Sequence, residues 1–80
     1  MDLKNYWVKW YSAKMLTSSN LYVGPADDPQ ATARAALKGS AYGEEARVFD
    51  RETGELLAVA RRRGKGRLWS AIDTYGPAMV

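Results

Sequence analysis

Glu45-Ala46-Arg47-Val48-Phe49-Asp50-Arg51-Glu52-Thr53-Gly54-Glu55-Leu56-Leu57-Ala58-Val59-Ala60-Arg61 reads as two strands joined by a tight turn. Residues 45–49 and 55–61 are rich in apolar and β-branched side chains, and the stretch between them is polar. Asp50 suits the opening of a type I turn, and Gly54 supplies a positive φ without steric cost. If Phe49 faces Leu56, then Val48 faces Leu57, Arg47 faces Ala58 and Ala46 faces Val59. Successive strand residues point to opposite faces, so this register sorts the side chains into two sets. Ala46, Val48, Leu57 and Val59 form an apolar set for the core. Arg47, Phe49, Leu56 and Ala58 form the other.

The flanking segments extend the sheet. From Tyr6 to Ala13 aromatic and β-branched residues are dense, so residues 4–16 contain a first strand. Tyr6, Val8 and Trp10 lie on one face of it and Trp7, Lys9 and Tyr11 on the other. Thr17-Ser18-Ser19-Asn20 reads as a turn, and Leu21-Tyr22-Val23 as a short return strand that stops at Gly24-Pro25. Asp27-Asp28-Pro29 then starts a helix over residues 29–38, because an Asp oxygen accepts orphan amide protons and Pro fits the first helical position. Its stripe of Ala33, Ala36 and Leu37 is narrow, Lys38 suits the negative helix end, and Gly39 is placed for a left-handed cap. Residues 68–75 alternate well enough for a last strand, with Leu68 and Ile72 on one face and Trp69 and Tyr75 on the other. Gly76-Pro77 ends it, and a loose tail follows from about residue 76.

The order is strand, strand, helix, strand, strand, strand. That predicts a single small α+β domain over residues 1–80, a four- to five-stranded antiparallel sheet with one helix packed on one face. One helix covers one face, which leaves Trp7, Lys9, Tyr11, Arg47, Phe49, Leu56, Trp69 and Tyr75 on the other.

Composition narrows the chemistry. The chain has 80 residues, 46% hydrophobic and 26% charged, which is ordinary for a folded domain with a thin core. It contains no Cys and no His, so it lacks a thiolate nucleophile, a disulfide, a Cys-based zinc site and the usual general base near neutral pH. No metal or cofactor is expected. Asp27-Asp28 is explained by helix capping, and Asp50, Glu52 and Glu55 by a charged turn. Neither these nor Glu44-Glu45 has spacing suited to a hard cation or to paired acid and base roles. The serines have no His to activate them. The N-terminus carries no apolar run and no stretch is long enough to span a bilayer, so a cytoplasmic protein with no membrane partner is expected.

Charge is concentrated. The net charge is +3, from 12 basic and 9 acidic side chains. Arg61-Arg62-Arg63-Gly64-Lys65-Gly66-Arg67 holds five of those cations; outside it 7 basic and 9 acidic side chains leave a balance of −2. Read as a loop between two strands, this segment is a candidate for contact with phosphates or carboxylates. Gly64-x-Gly66 lacks the third glycine of a dinucleotide fingerprint and joins strands, and no Walker loop is present. The candidate binding residues are therefore Arg61, Arg62, Arg63, Lys65 and Arg67, with Trp7, Lys9, Tyr11, Arg47 and Trp69 on the uncovered sheet face. Replacing Arg61, Arg62, Arg63 and Arg67 by Ala is expected to abolish binding and leave the fold intact.

The size, the layout and the Ala/Arg-rich wording from Ala46 to Leu56 resemble small proteins of phages and mobile elements, and among them anti-CRISPR proteins. That resemblance implies a cofactor-free inhibitor that sterically blocks a CRISPR effector complex and obstructs its target DNA. DNA-mimicking members of that class are strongly acidic, and this chain is not, so docking would use basic and aromatic residues. The partner would be an acidic or nucleic-acid-bearing protein complex, such as an effector subunit. The alternative is a direct nucleic-acid-binding module, with the basic segment on phosphates and the rings on bases. Either fits a monomer or a homodimer.

Overall fold

A computed structural model describes residues 2–40, 43–63 and 71–79. Five strands and one helix follow in the order β1 (Leu3–Ser12), β2 (Met15–Pro25), α1 (Pro29–Lys38), β3 (Glu45–Asp50), β4 (Leu56–Arg62) and β5 (Ile72–Tyr75). The strands form one antiparallel sheet in the order β2-β1-β3-β4-β5, and α1 packs against one face. The expected α+β architecture is therefore present. A 3-10 turn, Pro77–Met79, occupies the segment read as a loose tail.

The core lies between α1 and the sheet. Tyr6, Val8, Ala46, Val48, Ala58, Ala60 and Ile72 meet Ala33, Ala36 and Leu37 of the helix, all buried. Trp10 packs on this cluster and donates its indole N–H to the Ala36 carbonyl at 3.0 Å. The Tyr6 hydroxyl donates to the Pro25 carbonyl at 2.5 Å. Both large rings thus bury their apolar bodies and still satisfy their polar ends.

The β3–β4 hairpin departs from the expected register by one residue. Its turn is as read: Gly54 has φ +76°, its N–H donates to the Asp50 carbonyl at 2.9 Å, and Phe49 faces Leu56. Beyond that pair a bulge at Leu57 shifts the ladder, so Val48 faces Ala58, Arg47 faces Val59 and Ala46 faces Ala60. Ala58 and Ala60, and not Val59, therefore lie under the helix, while Leu57 packs half-buried against the same core as expected. The smaller side chains let the Ala-rich face of α1 come close, which Leu and Val at those positions would prevent. Val59 is still fully buried, on the opposite face, flanked across the strands by Arg47 and Tyr75.

The first hairpin also differs. Its turn is Ala13-Lys14, with φ of 51° and 66°, and Thr17-Ser18-Ser19-Asn20 lies inside an 11-residue β2. Positive φ at both central residues is the two-residue turn that matches strand twist, normally written with Asn or Gly. A bulge at Thr17 follows, where Trp10 faces Ser18 and Tyr11 faces Leu16.

At the helix start, Asp28 accepts from Ala31 N–H at 3.0 Å and Pro29 occupies the first turn. At its end Gly39 has φ −78°, so the left-handed cap does not form. The carbonyls there are met from β4 instead.

Candidate binding face

The sheet face away from α1 is organised in cross-strand rows. Leu21, Trp7, Phe49 and Leu56 make one row across β2, β1, β3 and β4. Ser19, Lys9, Arg47, Val59 and Tyr75 make the next. Leu16, Tyr11, Glu45, Arg61 and Asp73 make the third. Thus Trp7, Lys9, Tyr11 and Arg47 come together on one surface as the alternation of β1 and β3 predicted.

Cations on this face lie over rings. Lys9 Nζ sits 5.1 Å from the Phe49 ring centre, the Arg47 guanidinium 4.7 Å from that of Tyr11, and the Arg61 guanidinium 5.9 Å from that of Tyr75. Such contacts hold long side chains flat on the sheet, which limits the entropy they lose when they meet a ligand. Glu45 organises the two arginines: its Oε2 accepts from Arg47 Nε and its Oε1 from Arg61 Nε, each at 2.5 Å. Partial burial pushes the Glu45 carboxyl up, and the hydrogen bonds from Arg61 and Arg47 outweigh it, leaving its pKa below the ordinary value. Glu45 is therefore ionised at neutral pH. The cluster of Lys9, Arg47, Arg61 and Glu45 retains two positive charges. Below it, a cleft of about 600 Å³ is bordered by Tyr11, Lys14, Glu44, Glu45, Arg47 and Arg61.

The basic segment has a different structure from the one expected. Arg61 and Arg62 are the last residues of β4, and consecutive strand residues point to opposite faces. Arg61 joins the open face. Arg62 turns to the helix side, where Nη2 donates to the carbonyls of Leu37 and Ser40 at 2.9 Å each and Nε donates to Gly43 at 2.9 Å. It closes the C-terminal end of α1 in place of the glycine cap, so removing it removes part of the fold. Arg63 pairs with Asp73 through two contacts, and its N–H donates to the Ala71 carbonyl at 2.8 Å. Lys65, Arg67 and Trp69 lie outside the described residues. The alternation through residues 61 and 62 was the available signal for these divided roles, and reading the segment as a loop concealed it.

Among the described residues no group of three or more His, Cys, Asp or Glu side chains is placed to hold a metal ion, and no helix is long and apolar enough to cross a membrane.

No family model matches the chain, and no solved structure matches it. Among curated proteins it is similar to the Ribosomal RNA small subunit methyltransferase H of Acidiphilium cryptum (strain JF-5), with 36% identity over 67 residues. That match covers 82% of this chain and 21% of the relative. The chain spans about a fifth of the length of the curated relative it matches.

Proposed function

We propose that the chain is a cytoplasmic, non-enzymatic binding module whose open sheet face takes single-stranded RNA. The observation that carries this reading is the placement of Trp7, Tyr11 and Phe49 beside Lys9, Arg47 and Arg61 on a face the helix does not cover. Rings and flat guanidinium groups accept unpaired bases by stacking, and cations between them neutralise the connecting phosphates. RNA is favoured over DNA by the similarity to a protein whose name concerns ribosomal RNA. Catalysis is not part of the proposal, since the chain has neither His nor Cys.

Titration of a short fluorescent single-stranded RNA at low and moderate salt tests it. Neutralising two or three phosphates gives a slope of log K against log salt of about −1.4 to −2.1. Trp7→Ala should weaken binding by about fivefold or more, because base–aromatic stacking contributes about 1–3 kcal/mol per base. Lys9→Ser should weaken it less and flatten the slope. Absence of RNA binding at low salt overturns the proposal, and capture of a defined multi-subunit bacterial complex by the same face would assign it to steric blocking instead.

A further inference from the structure

β2 is an edge strand, and beyond the bulge at Thr17 near its start it carries little of what usually protects one. Between Met15 and Pro25 it carries no charged side chain, and its proline stands at the very end. Its outward-facing groups can be assigned. Ala26 N–H donates to the Asp2 carbonyl, continuing the β1–β2 ladder, so the even-numbered residues from Ser18 to Gly24 bond to β1. The odd-numbered Ser19, Leu21 and Val23 therefore turn N–H and C=O away from the sheet. Leu21 N–H agrees, since its acceptor is the side-chain oxygen of the adjacent Asn20 at 2.8 Å. On the open face the same edge exposes Leu21 at 41% and Val23 at 56%, beside Trp7 at 36%.

We propose that β2 pairs antiparallel with β2 of a second copy of this chain, on a two-fold axis through Leu21. In that register Leu21 faces the partner's Leu21, and Ser19 and Val23 exchange bonds with the partner's Val23 and Ser19. About six backbone hydrogen bonds result. Leu21, Val23 and Trp7 of the two copies join into one apolar band, and the two five-stranded sheets become a single sheet with both helices on one side. The occupant is a second copy because an isologous contact needs a self-complementary strand. One without charge meets itself with no like-charge pair and gives a charged peptide nothing to recognise. On the helix side a groove of about 460 Å³ runs beside β2 over Trp10 and Tyr22, which leaves room for the partner's edge. This inference does not rest on RNA binding.

Sedimentation of the chain from micromolar to millimolar concentration, without RNA, tests it. A monomer–dimer equilibrium is expected. Leu21→Lys, which sets two cations opposite each other at the axis, should raise the dissociation constant at least about tenfold. Amide exchange keeps the test independent of that variant. The amides of Ser19, Leu21 and Val23 should gain protection as concentration rises, while those of Asn20 and Tyr22 stay protected throughout. A chain monomeric at every concentration, a dimer unchanged by Leu21→Lys, or a dimer in which the three amides stay open would each overturn the proposal.

Discussion

The Arg62 guanidinium donates to the Leu37 carbonyl at 2.9 Å, tying the last strand residue of β4 to the end of α1. The same group also reaches Ser40 and Gly43, so one side chain satisfies carbonyls that a left-handed glycine would otherwise have helped to close. Its positive charge also lies at the negative end of the helix dipole.

Arg62→Ala should therefore destabilise the fold by about 2–3 kcal/mol, the range for losing charged hydrogen bonds to partly buried acceptors. Arg62→Lys should recover part of that loss, because an ammonium cannot present the same planar fork. Arg63→Ala, whose partner pair is largely exposed, should leave the midpoint close to that of the parent. Denaturant midpoints for the three variants check the order. Equal midpoints would show that Arg62 does not brace the helix.

Gly24 and Thr32 are packed too closely for any side chain at position 24. A Cβ there would collide with Thr32 Oγ1, which is itself buried and has no hydrogen-bond partner among the described residues. Gly24→Ala should cost about 1–3 kcal/mol through overpacking. Thr32→Ala should relieve most of it in the double variant, giving a strong non-additive coupling in a double-mutant cycle. Thr32→Val should be neutral or stabilising by about 1 kcal/mol, because it removes an orphan hydroxyl. Thermal unfolding of these chains beside the parent decides the matter, and additivity would refute the contact.

What could be read beforehand followed periodicity. The faces of β1, the apolar stripe of α1 and the Asp50–Gly54 turn were legible because spacing alone specifies them. Three features were not. Ala13-Lys14 turns with positive φ in residues that do not advertise it, whereas polarity favours a turn at Thr17–Asn20, which belongs to a strand whose outer edge is simply exposed. The bulge at Leu57 is invisible in an unbroken apolar run, where either phase buries aliphatic side chains. Clustered arginines suggested one loop, yet strand alternation sends Arg61 and Arg62 to opposite faces. The open face is the same in either case because β1 and β3 carry it, and neither bulge changes the phase of those two strands.

The strained first turn offers a gain. Ala13 and Lys14 occupy the left-handed region at φ 51° and 66°, where side chains with a Cβ are disfavoured. The double substitution Ala13→Asn with Lys14→Gly should stabilise the hairpin by about 1–2 kcal/mol, because those two residue types are the ones this turn favours. The Ala13 N–H bond to Glu44 Oε2, at 3.2 Å, is a backbone donation that the substitution retains. A higher denaturant midpoint with an unchanged m-value checks it, and no gain would mean that the observed φ values carry no strain.

Asp50 sets a pH dependence whose sign follows from its neighbours. Lys4 Nζ donates to its Oδ2 at 2.9 Å, and the amides of Thr53 and Glu52 donate to Oδ1 at 3.0 and 2.8 Å. The hydrogen bond from Lys4, with those two amides, pulls its carboxyl down to about 2. An unfolded Asp titrates near about 3.9, so the folded state holds its proton less tightly. The contribution is complete above about pH 4 and is lost as pH falls toward about 2, because protonating Asp50 removes what binds the carboxylate. Lys4→Met should shrink the acid-side decline, and Asp50→Asn should flatten it further while freeing Lys4. Unfolding midpoints of the three chains between about pH 2 and 6 measure the difference. An acid decline of the same depth in all three would show that other carboxylates carry it.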